Sequence, residues 1–147
     1  MDHTSLAKKI LKKTSTPAAL LEMIHAKEGF GYGCLLMLSV NIPQLQADLE
    51  AMGSEPATPT RQYIRATETA FLEAKLFGDT SVSTAHILLS VLRNENDPVV
   101  VMLDKKHSVN YNRVKEVYSL SRSEKEHKQD NIDKILEKLD EIIKIIR

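Results

Sequence analysis

The sequence of 147 residues contains no tryptophan, one cysteine and only five glycines. A lone Cys34 cannot form an intramolecular disulfide, and this cysteine usage is typical of a reducing compartment. No apolar run reaches the roughly 18 residues that span a bilayer, and the polar, lysine-rich N-terminus lacks the apolar core of a signal peptide. Lysine plus arginine equals aspartate plus glutamate at 20 each, so no net charge attracts nucleic acid. We therefore expect a cytoplasmic protein that binds neither membranes nor nucleic acid.

Strand-like patterns are also nearly absent, since the sequence has few β-branched runs with a two-residue period. The best strand candidate is Val99–Val101. It follows Asp97 and Pro98, however, and an aspartate cap followed by proline is typical of a helix start. Hydrophobic residues make up 42% of the chain, which is enough to bury a core. The sequence predicts an all-α fold.

Further helix starts and breaks follow from threonine, proline and glycine. The pairs Thr16–Pro17 and Thr58–Pro59 each predict a helix start. Residues 27–33, KEGFGYG, predict a break, because each glycine disfavours helix by about 1 kcal/mol relative to alanine. After the linker-like stretch 53–60, GSEPATPT, apolar residues recur at helical spacing and Gly78 marks the helix end. That predicted buried face consists of Tyr63, Ile64, Ala66, Ala70, Phe71, Ala74 and Phe77.

A short repeat indicates that the chain is internally duplicated. SVNI at residues 39–42 returns as SVNY at residues 108–111, and an amphipathic stretch follows each copy. We expect Asn41 and Asn110 to cap these helices, while the valine before each asparagine packs against the fourth helical residue. The helices before the two copies also correspond in order, as TPAALLEMI and TAHILLSVL do. The sequence thus predicts two pseudo-two-fold four-helix repeats, about eight helices, with a C-terminal amphipathic helix.

The predicted organisation has four parts. Residues 1–53 form an atypical first repeat with a short first helix, and residues 54–60 form a linker. Residues 61–120 form the second repeat. Residues 121–147 form a charged tether and an amphipathic, coiled-coil-like helix.

The second repeat carries a family resemblance. Residues 73–117, and above all STAHILLSVLRNE (83–95) followed by SVNY, resemble the repeat of the Clp N-terminal domain of ClpA, ClpB and ClpC unfoldases. The resemblance implies a non-catalytic module that docks protein substrates or adaptor proteins for an attached ATPase ring and its peptidase. The chain has no Walker segment of the type GxxxxGK[ST], so we expect no ATP hydrolysis here and no enzyme activity. The alternative is a stand-alone Clp-repeat scaffold or regulator that has no ATPase and oligomerises through its C-terminal helix.

The chain departs from the family at two positions. In ClpC-like members, a glutamate in each repeat is associated with recognition of phosphoarginine on substrates. The corresponding positions here are Pro17 and Ala85, neither of which can pair with a guanidinium. The sequence therefore argues against phosphoarginine recognition at these two points.

The candidate protein-contacting residues come from the glycine-rich segment and from the family positions. They are Phe30, Tyr32, His86, Arg93 and Glu95. His86 follows a helix cap, and we also expect its ring to tie that helix start to a neighbouring loop. The five histidines show no metal-ligand spacing, so the sequence predicts neither a metal nor a cofactor.

The tail carries an apolar seam with alternating spacings of three and four, typical of a coiled coil. Its members are Ile132, Ile135, Leu139, Ile142 and Ile146. This helix either packs back on the domain or self-associates. We favour a homo-oligomer, because a wide apolar stripe behind a polar tether would otherwise stay exposed.

Overall fold

The computed structural model describes residues 2–53 and 55–146, and within the last helix it describes no side chains for residues 123–136 and 144–146. In these ranges the chain is all-α, as predicted, apart from two-residue strands β1 and β2 that pair in parallel. The elements are β1 (Asp2–His3), α1 (Ser5–Leu11), α2 (Thr16–Ala26), α3 (Gly29–Met37), α4 (Ile42–Ala51), α5 (Arg61–Leu76), β2 (Ser81–Val82), α6 (Thr84–Leu92), α7 (Pro98–His107) and α8 (Tyr111–Ile146).

Side-chain caps explain where most of these helices begin. Asp97 caps α7, with Pro98 in its first turn, so the valine run is helical as expected. Helix α2 begins one residue earlier than the Thr16–Pro17 pair predicts, because Ser15 is the cap. The predicted start at Thr58 is wrong, since α5 is capped by Thr60.

The late start of α5 has a tertiary cause. The stretch before it lies alongside Thr14, which donates its hydroxyl to the carbonyl of Pro56 at 2.6 Å. The Thr14 amide donates to a carboxylate oxygen of Glu55 at 2.8 Å, and the Thr60 amide donates to the Thr14 carbonyl at 2.8 Å. These bonds hold the linker extended up to Thr60 and postpone the helix.

The glycine-rich segment is the largest correction to the sequence prediction. The predicted break is confined to Lys27 and Glu28, between α2 and α3, and the glycines themselves form the first turns of α3, Gly29–Met37. Gly29 has φ +90°, a left-handed conformation that favours glycine, at the point where α3 begins. A Cβ on Gly31 would lie 2.6 Å from Met23 Sδ and 3.0 Å from the Thr84 carbonyl. Close packing against α6 therefore outweighs the low helix propensity of glycine.

Helix α6 lies at the centre of the fold. All nine of its residues are buried, and it packs against α1, α2, α3, α5 and α8. Its packing against α5 uses small residues, because Ala66, Ala70 and Ala74 let the two backbones approach closely. One hydrophobic core therefore connects the elements of both predicted repeats.

The two halves meet through equivalent helix starts. Thr84, at the first position of α6, accepts a hydrogen bond from the Gly31 amide of α3 at 2.7 Å. Thr16, at the first position of α2, donates to Asp97 Oδ2 at the start of α7 at 3.3 Å. In each half, the first threonine of the second helix thus binds the start of the third helix of the other half.

The SVN repeat has the role in the fold that its sequence predicts. Asn41 and Asn110 accept hydrogen bonds from the third amide of their helices, at 3.2 and 3.0 Å. The preceding valines, Val40 and Val109, pack in or against the core. Both serines also have positive φ, +58° at Ser39 and +54° at Ser108, so the two copies share a backbone turn as well as a sequence.

The last helix of the second predicted repeat and the predicted C-terminal helix are one continuous helix, α8. It runs from Tyr111 to Ile146 as one element of 36 residues, so the expected tether falls inside a helix. Within its described C-terminal part, Leu139, Ile142 and Ile143 are about half exposed. The structure does not describe the side chains of the other predicted seam residues, which are Ile132, Ile135 and Ile146.

Candidate functional site

Helix α5 carries apolar residues on its outer face as well as its inner one. Tyr63 and the alanine stripe are buried as predicted, but Ile64 and Phe71, also predicted to be buried, are exposed. Leu72 and Leu76 lie near them, with exposed fractions of 46% and 69%. An outer apolar face of this kind on a helix is typical of a contact with another molecule.

Beside this face lies a groove of about 620 Å³ between α5 and the end of α6. Its lining combines apolar, polar and charged residues: Gln62, Arg65, Ala66, Thr69, Leu72, Glu73, Lys75, Leu76, Ser90, Arg93 and Asn94. A concave, mainly apolar surface with a few polar groups is the usual form of a binding site.

The floor of the groove is held by hydrogen bonds between the two helices. Ser90 of α6 donates its hydroxyl to the Ala66 carbonyl of α5 at 2.7 Å. The hydroxyl of Thr69 bonds in turn to that of Ser90, and it also faces the carbonyls of its own helix. Because these polar groups are already paired, the groove offers a preformed surface to a partner.

One end of the groove is closed by a charged cluster. The Glu73 side chain is 2% exposed and pairs with Arg93, while Tyr111 donates its hydroxyl to Glu73 Oε2 at 2.8 Å. Arg93 also donates to the Tyr111 hydroxyl at 2.8 Å, and its guanidinium lies 4.5 Å from the centre of that ring. The hydrogen bond from Arg93 to Glu73 raises the pKa of the guanidinium. Arg93 therefore connects α5, α6 and α8.

Arg93 and Glu95 lie near each other, as their sequence positions predict. Both line a cleft of about 880 Å³ between the end of α6, helix α7 and the start of α8. Asn110 and Tyr111 of the second SVN copy line the same cleft. Glu95 is exposed there, so it remains available to a partner, whereas Arg93 already binds Glu73.

His86 is only 1% exposed and lies in a hydrogen-bonded network at the start of α6. Its Nδ1 accepts the Ser83 amide hydrogen at 2.8 Å, so the proton is on Nε2, which donates to Asp79 Oδ2 at 2.7 Å. Tyr118 donates to the same carboxylate oxygen at 2.7 Å, and Arg122 pairs with the other at 3.0 Å. The ring thus ties the helix start to a neighbouring loop and does not face a partner directly.

Ser83, His86 and Asp79 lie in the order of a catalytic triad, with the Ser83 hydroxyl 3.2 Å from His86 Nδ1. A base needs a free lone pair on the nitrogen that faces the nucleophile. Here the Ser83 amide already occupies the Nδ1 lone pair, and Ser83 is buried. Burial also lowers the pKa of His86, against the opposing effect of Asp79. This geometry is that of a capping box, in which His86 serves as the third helical residue.

Phe30 is half exposed, and its ring meets that of Tyr118 edge to face with the centroids 6.2 Å apart. Phe30 lines a cleft of about 280 Å³ together with His86, Tyr118 and Arg122. Tyr32 is partly buried two residues further along α3. The sequence candidates therefore divide between two surfaces, one near α3 and the other at the end of α6.

The groove itself was missed by the sequence interpretation. Leu72 and Leu76 repeat at four-residue spacing beside the alanine stripe, and that second stripe was the available signal. The positions that correspond to the family's glutamates lie elsewhere, in the first turns of α2 and α6. Ala85 there is completely buried and Pro17 is partly buried.

Among the residues that the structure describes, no three histidine, cysteine or acidic side chains form a group suited to a metal ion. None of the described helices combines the length and the apolar character needed to cross a membrane. The chain matches no protein-family model and no curated protein.

Proposed function

We propose that this chain is a non-catalytic protein-binding module of the Clp N-terminal type. It docks protein substrates or adaptor proteins for a Clp-type ATP-dependent unfoldase, either a protease or a chaperone. Its contacts are with proteins, and no cofactor takes part. The observation that carries this proposal is the groove between α5 and α6, whose floor is preformed and whose rim exposes Leu72 and Leu76.

The order of the helices supports the proposal. Two successive four-helix units, joined by a short extended stretch, are what the resemblance of residues 73–117 implies. The single cysteine is buried, and burial raises the pKa of its thiol to about 11, so it is a packing residue. We assign the module to the cytoplasm, where an isolated thiol stays reduced.

The test is a capture experiment with the purified full chain in an extract of its source cells. We expect an unfoldase ring, its peptidase or an adaptor to be enriched, as identified by mass spectrometry. Leu72→Ser should abolish this enrichment, whereas Leu120→Ser should preserve it. Leu120 is exposed to a similar extent, 52% against 46%, but does not line the groove. Equal capture by both variants would exclude the groove, and absence of all three classes would refute the proposed function.

A second candidate function is that of a scaffold or regulator that has no ATPase and oligomerises through α8. The exposed side chains of Leu139, Ile142 and Ile143 on successive turns favour it. Light scattering of the full chain and of Ile142→Lys tests for assembly through α8, and the capture experiment distinguishes the two functions. A chain that assembles through Ile142 and enriches no unfoldase ring, peptidase or adaptor would favour this candidate over the first.

A further inference from the structure

We propose that residues 137–143 of α8 bind the α5–α6 groove of a second copy of this chain. This inference deepens the proposed function, since it rests on the groove being a docking site and names one occupant for it. The occupant is an amphipathic helix with an apolar face and neighbouring carboxylates. The segment 137–143 and the groove, which are separate within one chain, would thereby contact each other between two chains.

The first argument is that both surfaces are apolar and unfilled within the described part of the chain. On the groove side, Leu72 and Leu76 are 46% and 69% exposed. On the helix side, Leu139, Ile142 and Ile143 are each about half exposed. Their spacing of three and four residues places them on one face of α8, which is how a helix lies in an apolar groove.

The second argument is charge. The outer face of α5 carries three cations, Arg61, Arg65 and Lys75, and one carboxylate, Glu68. Residues 137–143, EKLDEII, carry three carboxylates and one ammonium group. Opposite net charges favour association of these two elements and orient them.

The third argument is reach, which excludes the groove of the same chain. Arg122 of α8 donates to the carbonyl of Phe77, so it lies at the C-terminal end of α5. Leu139 follows Arg122 by 17 residues in an uninterrupted helix, which places it about 25 Å further along the axis. Tyr111 binds Glu73 and Tyr118 binds Asp79, so α8 advances in the same direction as α5 and continues past its end. The segment 137–143 therefore lies beyond the end of α5 and does not reach the groove of its own chain.

Charge and apolar exposure also favour docking in the groove over a pairing of α8 with α8. Two copies of segment 137–143 would bring like net charge together, and both α5 faces would remain exposed. Docking in the groove covers the apolar face of α5 and that of α8 in one contact. When two copies exchange these segments reciprocally, the assembly closes as a dimer with two identical contacts.

The test uses disulfide formation between two full chains of different mass, one with Leu76→Cys and the other with Ile142→Cys. The native Cys34 is buried and does not compete. We expect the mixed 76–142 disulfide to exceed, several-fold, both the 142–142 disulfide and the disulfide from Leu120→Cys with Ile142→Cys. A dominant 142–142 disulfide would overturn the inference in favour of a coiled coil. Equal yields from Leu120→Cys and Leu76→Cys would overturn it as non-specific contact.

A charge exchange tests the orientation. Arg65 lies on the α5 surface beside Leu72, and Asp140 borders the apolar face of α8. Arg65→Glu in the Leu76→Cys chain should reduce the mixed disulfide several-fold, and Asp140→Arg in the other chain should restore it. If the mixed disulfide never forms in correctly folded chains, as judged by circular dichroism, the inference fails. In that event, a loss of unfoldase or adaptor capture by Leu72→Ser would still support the proposed function, so the two failures are distinguishable.

Discussion

The amide of Gly31 donates a hydrogen bond to Thr84 Oγ1 at 2.7 Å, joining the start of α3 to the start of α6 across the two halves of the chain. This bond requires a close approach that only glycine allows. A Cβ at residue 31 would lie 3.0 Å from the Thr84 carbonyl, which is backbone and cannot turn aside as a side chain can. The bond explains why a glycine-rich stretch lies in a helix.

We therefore expect opposite effects from two alanine substitutions only two residues apart in α3, at Gly31 and Gly33. Gly31→Ala should lower the free energy of unfolding by about 1–3 kcal/mol, the usual cost of overpacking. Gly33→Ala should raise it by about 0.4–1 kcal/mol, because a Cβ there meets nothing within 4 Å and alanine favours helix. Urea denaturation of both variants measures the difference. A stabilising Gly31→Ala would contradict the proposed close packing.

The buried His86 predicts a loss of stability in mild acid. Burial lowers its pKa in the folded chain below the ordinary value of 6.5, so the unfolded chain takes up a proton first as the pH falls. The stability that His86 contributes is fully present above pH 6.5 and decreases below it, by up to about 1.4 kcal/mol per pH unit, until the folded pKa is reached. Protonation of Nδ1 would also end its acceptance of the Ser83 amide.

Urea midpoints between about pH 7 and pH 5 measure this dependence, since only histidine normally titrates in that range. His86→Gln should reduce the slope. His25→Gln provides the control, because His25 is exposed on α2. A slope that His86→Gln leaves unchanged would show that another group is responsible.

The asparagines of the SVN repeat should contribute equally to stability. Asn41→Ala and Asn110→Ala each remove a cap, and each should lower the free energy of unfolding by about 1 kcal/mol. Asn112→Ala is the control, since Asn112 is exposed and lies inside the helix that Asn110 caps. Capture of a partner should survive all three substitutions. A selective loss of capture in Asn110→Ala would instead make this asparagine part of a binding surface.

We expect Arg93 to contribute mainly to the stability of the fold. Arg93→Met leaves the buried Glu73 carboxylate with Tyr111 alone, and we expect a loss of about 1–3 kcal/mol in the free energy of unfolding. Arg65→Met removes an exposed arginine from the same groove and should cost little. Thermal denaturation of both variants distinguishes them. Equal stability of the two would show that the Glu73 cluster contributes nothing to the fold.

The sequence predicted helices best where a local signal determines the outcome. Asp97 with Pro98, and both asparagines of the SVN repeat, cap helices as expected, because a cap bonds within its own first turn. The predicted all-α class is confirmed, since it too was inferred from local helix signals. The sequence prediction was wrong where a distant residue decides. Thr14 delays the start of α5, and Thr84 draws Gly31 into a helix.

The candidate site could be predicted only in part. Arg93 and Glu95 line one cleft because they lie two residues apart on one turn. The role of His86 at a helix start could be inferred from its position after a cap, but its depth of burial depends on Tyr118, which is 32 residues away in the sequence. The groove is formed by the packing of α5 against α6, and Leu76 is exposed because no other described element packs over it. Both are properties of the tertiary structure, which a local sequence pattern does not contain.

The reciprocal bonds between the halves also bear on how such a chain could arise. Thr84 needs the Gly31 amide and Thr16 needs Asp97, and in each case the partner belongs to the other half. A shorter ancestral chain with one four-helix unit could satisfy these groups only by pairing with a copy of itself, so its folding would have depended on concentration. Fusion of two copies into one chain supplies the partner at a high effective concentration. Such a fusion would also leave the two copies free to diverge, and α1 and α5 do differ in length.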